Sequence, residues 1–329
     1  MNTPAAIPRS GLIYAFDLDQ KGGGEELDWE QVRSPPRTGH TRWVHVDFSQ
    51  KEGRDWLVND SGIDESMVEA MLQDDIRPRT LQTHKGVLTV LRGVNLNPGS
   101  DAEDMVSIRV WLENDRIIST RRRRSMSVDQ IRQDLLTGDG PVGPGDLLVR
   151  VVENLGDRIA EVIESIDVAI EEAESRLERE HLRSYRGEFS QLRRKTAHVR
   201  RYLSPQREAL DRLSRLQGDI FSASDLAALQ EETNRMTLFV EELDLSRERA
   251  MVAQEEMLSS LAKEQNSKIY LLSIVSAIFL PLMFLTGLFG MNVAGLPGTA
   301  HPSSFNLITA MMLAIAIGIL LLFRWKKWL

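Results

Sequence analysis

The chain has 329 residues, with 48 acidic against 40 basic side chains, a formal net charge of -8 and no cysteine. Without cysteine there is no disulfide scaffold and no thiolate zinc site, which leaves six histidines and many carboxylates as strong metal ligands. The acidic balance argues against nucleic acid and suits a small cationic partner, although mild acidity is also common without that meaning. Overall composition resembles that of a soluble protein and conceals an apolar C-terminal part that only a window scan separates.

Met1 to Gly11 lack a basic start followed by an apolar run, which predicts no cleaved leader and a cytoplasmic N-terminus. Residues 1–145 read as a mixed α/β domain. Short β-branched runs recur at 11–16, 42–48, 86–94, 105–112 and 116–120, broken by Gly, Pro and Asn. Glu113-Asn114-Asp115 is the polar break of a hairpin. Ile63, Met67, Val68, Met71 and Leu72 keep helical spacing, with Ser61 or Asp64 as N-cap. His45 and His84 fall on predicted strands and His40 in a turn before one. They read either as a regulatory zinc site or as ordinary, partly buried histidines. Arg121 to Arg124 reads as a surface turn at a strand end.

The Pro-Gly-rich stretch 138–145 marks a boundary. Residues 146–220 then hold two helical segments, one acidic (Glu161, Glu164, Asp167, Glu171, Glu172, Glu174) and one basic (Arg193, Arg194, Lys195, Arg200, Arg201). Opposite charge suggests an antiparallel pair joined near 181–186, with solvated faces as the alternative reading of each run. From Ala223 there is no Pro before Pro281 and no Gly before Gly287, and Leu226, Leu229, Met236, Phe239, Val240 and Leu243 keep a three-four spacing. One helix over 223–289 is predicted, roughly 100 Å long at about 1.5 Å per residue. Its part at 221–267 is a stalk whose burial calls for packing against copies of itself. Stalk acids Glu241, Glu242, Asp244, Glu255 and Glu256 either concentrate cations or form a solvated face.

Residues 269–289 and 305–323 contain no charged side chain, and each is long enough to cross the hydrocarbon of a membrane. Two spans are expected, at 268–290 and 305–324, with an outer loop at 291–304 and a tail at 325–329. Arg324, Lys326 and Lys327 close the second span beside Trp325 and Trp328, while the loop has no Lys or Arg, so both termini are placed in the cytoplasm. In the first span Asn266, Ile269 or Ser273, Ser276, Leu280, Met283 and Gly287 recur at steps of three, four or seven. This face serves either helix packing or, in an oligomer, the lining of a pore.

The first span runs through Ile278-Phe279-Leu280-Pro281-Leu282-Met283-Phe284-Leu285-Thr286-Gly287-Leu288-Phe289 and ends in Gly290-Met291-Asn292. A lone Gly-Met-Asn means little. Placed between two C-terminal spans after a long charged helix, it resembles the signature of the CorA family of divalent cation transporters. Ile76-Arg77-Pro78-Arg79, Leu203-Ser204-Pro205-Gln206-Arg207-Glu208 and the stretch 261–266 are similar to family patterns too. The resemblance implies an α+β multidomain membrane protein of the inner bacterial membrane and a homopentamer. Each subunit would have a cytoplasmic α/β/α domain, a helical funnel and a pore lined by the first span. It further implies a selectivity filter of Gly290, Met291 and Asn292, and pore positions Asn266, Ile269, Leu272, Ser273, Ser276, Leu280, Met283 and Gly287.

Between 269 and 323 there is no Asp, Glu or Cys and a single histidine, His301, so a strong zinc cage cannot be assembled there. A ring of neutral amides can instead bind the water shell of a hydrated ion weakly, as conduction requires. The loop continuing Val293-Ala294-Gly295-Leu296-Pro297-Gly298-Thr299, and the ending Lys327-Trp328-Leu329, resemble the zinc-transporting ZntB branch rather than members with an acidic loop. Zinc is therefore the expected cargo, with magnesium, cobalt or nickel as alternatives and no resident cofactor. That branch is associated with proton-coupled uptake. The span offers no carboxylate relay, so His301, Glu255 or Glu264 are the candidates for coupling, and the same three, with His45 and His84, are the candidate metal ligands. A membrane-anchored structural or signalling protein explains the helices but not Gly-Met-Asn. No phosphate loop, zinc protease motif or nucleophile constellation points to an enzyme.

Overall fold

The structure, a computed structural model, describes residues 11–74, 76–179, 187–291 and 302–326. The chain divides into two units, Met1–Gln254 and Glu255–Leu329.

The first unit is built on seven strands: β1 (Leu12–Leu18), β2 (Gly24–Glu26), β3 (Thr41–Asp47), β4 (Arg79–Gln82), β5 (Val87–Gly93), β6 (Val106–Leu112) and β7 (Arg116–Arg121). They form one mixed sheet in the order β2-β1-β3-β7-β6-β5-β4, in which β3 and β7 are the parallel pair. All five β-branched runs become strands. The short β2 and β4 have too few apolar residues to register as runs. The hairpin at Glu113-Asn114-Asp115 closes with the Glu113 N–H donating to the Arg116 carbonyl at 2.8 Å.

Side chains alternate across this sheet. Val44 and Val46 join Leu12, Ala15, Trp111 and Ile118 on one face, packed with α1 (Trp29–Arg33), α2 (Lys51–Asn59) and α3 (Glu65–Leu72). Trp43, Phe16, Leu91, Val110 and Ile117 occupy the other face with α4 (Met126–Thr137), α5 (Pro144–Arg179), α6 (Glu188–Ser214) and the first part of α7 (Ala223–Phe289). This is an α/β/α arrangement, and the sheet shares one apolar core with the long helices.

Local chemistry sets several helix ends. Asp28 and Gln31 form a reciprocal capping box at α1, with bonds of 2.9 and 2.8 Å. Asp64 occupies the N-cap of α3 but makes no capping bond, because its carboxylate turns to Lys85. Pro144 opens α5, a position where its missing N–H has no cost.

The helix α6 docks by completing the sheet. β4 pairs with β5 only as far as Val90, and beyond that point α6 takes over the edge at Arg92. The Gln206 side chain accepts from the Arg92 N–H at 2.6 Å, the Arg92 guanidinium lies 4.7 Å from the Tyr202 ring, and Thr80 Oγ1 donates to the Ala209 carbonyl at 2.9 Å. Arg176 of α5 pairs with Glu188 of α6 at the far end, while Leu155 abuts Gly93 at the sheet, so α5 and α6 are antiparallel.

The expected complementarity of α5 and α6 is corrected in its wiring. Arg176–Glu188 apart, the acidic and basic runs pair through α7: Arg249 binds Asp167 and Glu174 of α5, each at 2.7 Å, and Asp244 binds Arg200 of α6 at 3.0 Å. The third helix thus draws part of each run to itself, while Lys195 of the basic run pairs with Glu103 at 3.6 Å. The arginine run forms the expected exposed stretch at 122–124, and its first member alone departs from that reading. Arg121 is buried and bound to Asp129 at 3.3 Å, Arg124 reaches the same carboxylate at 2.6 Å, and Arg122 reaches Asp74 at 2.7 Å.

The second unit contains the rest of α7 and α8 (Ser304–Trp325). Both helices are long and apolar enough to cross a membrane. Among its described residues only Met257 and Ile274 are buried.

Candidate ion-conducting site

Asn266, Ile269, Leu272, Ser273, Ser276, Leu280, Met283 and Gly287 all lie on α7, and all but the half-buried Ser276 are exposed. Ile269, Leu272, Leu280 and Met283 are each more than half exposed. Two hydroxyls on this segment bond back into the helix: Ser273 Oγ donates to the Ile269 carbonyl at 2.9 Å and Thr286 Oγ1 to the Met283 carbonyl at 3.0 Å. One chain presents these residues as a stripe and cannot enclose a path.

The span ends on a close backbone approach. The Gly290 N–H donates to the Thr286 carbonyl at 2.9 Å, and a Cβ at position 290 would stand 2.8 Å from that same oxygen. Only glycine fits there without a shift of the chain. Met291 follows, half exposed. Asn292 and His301 lie outside the described residues.

The remaining candidates are scattered. Glu255 is exposed on α7, and Glu264 pairs with Lys268 one turn away. His84 belongs to the β4–β5 turn and not to a strand, because the pairing of Gln82 with Val87 ends that ladder and leaves 83–86 to reverse the chain. His45 is on β3 and fully buried. Its Nδ1 lies 2.7 Å from Ser119 Oγ, which also accepts from Trp43 Nε1 at 2.8 Å, and its ring stacks on Tyr14 at 4.9 Å. Burial first, then the positive charge of Arg121, hold its pKa well below the ordinary 6.5. This imidazole is a core group held by a hydroxyl. Among the described residues no group of three or more His, Asp or Glu side chains is placed to hold a metal ion.

One cluster escaped sequence reasoning. Glu232 of α7 is buried against Gly156 of α5, beside Arg235 and Asp157. Its signal was Gly156, a glycine inside a helical run, which usually marks a close packing partner.

The geometry agrees with known proteins. A family profile described as "CorA-like Mg2+ transporter protein" matches residues 38–327. The chain is 32% identical to a zinc transport protein ZntB of Yersinia pestis over 98% of both chains. It is 35% identical to the divalent cation transporter CmaX of Pseudomonas aeruginosa over 97% of both. The solved structure of full-length CmaX superposes with a TM-score of 0.86, covering 97% of this chain and 98% of that one. Two apolar helices following an α/β domain and a long helix, together with relatives of this identity across almost the whole length, establish that the chain belongs to the CorA-like family and is a membrane transporter of divalent cations, not an enzyme.

Proposed function

We propose that this protein takes up zinc through a homopentameric pore lined by α7 and selected by a ring of Gly290-Met291-Asn292. The observation that carries the reading is the exposed α7 face, which offers hydroxyls and apolar groups but no carboxylate or imidazole from Ile269 to Met291. Such a face suits passage of a hydrated ion, held by amides and water and released again. The pore would run along Asn266, Ile269, Leu272, Ser273, Ser276, Leu280, Met283 and Gly287. Gly290 would make the turn that presents Asn292, with Met291 bracing it. The neutral loop after Asn292 and the zinc transport names of relatives such as the Yersinia pestis protein support zinc as cargo.

The proposal keeps the expected division: 1–145 as cytoplasmic domain, 146–220 as funnel helices, 221–267 as stalk, spans at 268–290 and 305–324, an outer loop at 291–304 and a tail at 325–329. It places both termini in the cytoplasm of a bacterial inner membrane. Coupling to protons would use groups outside the bilayer, His301, Glu255 or Glu264. Magnesium is the second reading, favoured by the description of the family profile.

Purified protein in liposomes tests both. With zinc-sensitive or magnesium-sensitive dye inside, zinc influx is expected to exceed magnesium influx, and Asn292→Ala is expected to abolish it. Well-folded pentamers without flux would end the transport assignment for this chain, and faster magnesium influx would replace the cargo. An inward proton gradient is expected to raise zinc influx, and full stimulation retained in His301→Ala would remove that histidine from the mechanism.

A further inference from the structure

Two carboxylates are buried among the described residues, Asp17 and Glu232, and they are treated differently. Asp17 receives two guanidinium bonds from Arg42, at 2.7 and 2.9 Å. Glu232 is 7% exposed and has one cationic neighbour, Arg235, 3.5 Å from Oε1, while its Oε2 is enclosed with no hydrogen-bond partner. Arg235 is committed more closely elsewhere, to Asp157 at 2.7 Å. A buried carboxylate so poorly matched is costly as an anion and far less so as a neutral acid.

The surroundings reinforce that preference. A Cβ at position 156 would lie 2.8 Å from Glu232 Oε2 and 3.1 Å from the Arg235 guanidinium, so the carboxyl rests on bare α5 backbone. From α5, Asp157 and Glu153 face it, with Asp146 and Arg150 acting in turn on Glu153; from α7, Arg235 faces it. Glu232, Glu153 and Asp157 therefore gather around Arg235, while Arg150 lies on the far side of Glu153, bound to Asp146.

We propose that Glu232 is a proton-binding site that seats α7 on α5: the neutral acid fits the Gly156 cradle, and loss of the proton to water loosens the seam. Burial, opposed by Arg235 and aided by Glu153 and Asp157, raises the pKa of Glu232 above the ordinary 4.5. A raised folded value means that the stabilisation is complete below the unfolded pKa and disappears as pH rises through the folded one. The element that responds is α7, which runs unbroken from Ala223 to Phe289 and carries the candidate pore face. Cytoplasmic acidification would therefore tighten the helix on which conduction depends, whichever divalent cation is carried.

The test uses the full-length protein and the variants Glu232→Gln and Gly156→Ala. Glu232→Gln is expected to melt about 2–4 °C above wild type at about pH 8, an advantage that shrinks as pH is lowered through the folded pKa and is gone only below the unfolded one. Infrared difference spectra between high and low pH are expected to show a neutral carboxylic acid band in wild type that Glu232→Gln lacks. Gly156→Ala pushes the carboxyl off α5, and is expected to lose the band and flatten the same pH difference; it carries both readouts if Glu232→Gln does not fold. In liposomes, Glu232→Gln is expected to weaken the pH dependence of cation flux several-fold. Parallel melting curves for wild type and Glu232→Gln, or an unchanged band in either variant, overturn the proposal. Melting and infrared need no transport, so failure of the zinc reading leaves them decisive.

Discussion

Between residues 11 and 254 the apolar side chains bury one another on both faces of a sheet, whereas between 255 and 326 only Met257 and Ile274 are buried among the described residues. Both regions are rich in Leu, Ile and Val, so composition does not separate them. The difference lies in the solvent each was built for. The first removes apolar area from water within one chain. In the second, Leu272, Leu280 and Phe284 remain open along α7, and their environment must come from lipid or from other subunits, in which every backbone group of the helix is already satisfied.

The contrast can be broken most strongly in the first region. Trp43 is fully enclosed between Tyr14, Phe16 and the helices, so Trp43→Ala is expected to cost about 3–5 kcal/mol in denaturant unfolding. Leu280→Ala, at a position 62% exposed among the described residues, is expected to leave that unfolding curve in place; a comparable loss would mean that the two regions share their stability. Gly290→Ala sharpens the contrast from the other side. The Cβ contact with Thr286 is local, so unfolding of the first unit is expected to be unchanged while flux falls on the order of tenfold, about 1.4 kcal/mol. The smallest effect is expected at Arg249, whose pairs with Asp167 and Glu174 are about one-third exposed. After discounting for solvent screening, Arg249→Ala should cost about 1 kcal/mol or less in the same unfolding experiment.

Much of this architecture could be read from residue order because the controlling signals are periodic. Short β-branched runs located the five main strands, and the absence of Gly and Pro after Ala223 located α7, whose observed extent is Ala223–Phe289. What was missed depends on contacts between distant segments. Arg121 looked like one of four surface arginines, yet Asp129 on α4 draws it into the interior. His84 seemed to continue a strand, but pairing stops at Gln82. The acidic run of α5 and the basic run of α6 were correctly seen as complementary surfaces, while the residues that join them, Arg249 and Asp244, sit on a third helix that no local pattern ties to either. The candidate site divides in the same way: its helical stripe follows from spacing, and the proposed amide ring belongs to a segment whose role rests on resemblance and assembly.

The side chain of Gln206 stands in for a missing strand residue, bonding the Arg92 N–H across 114 positions of sequence. That bond gives the sheet a late-closing rung. At a synthesis rate of about 5–20 residues per second, the amide of Arg92 waits on the order of ten seconds for its partner to leave the ribosome. Until then the upper end of β5 is an open edge, able to recruit the wrong chain. Biogenesis of this transporter thus has a vulnerable interval in the aqueous compartment, before its membrane segments have been made at all, and a holding chaperone would be most useful there.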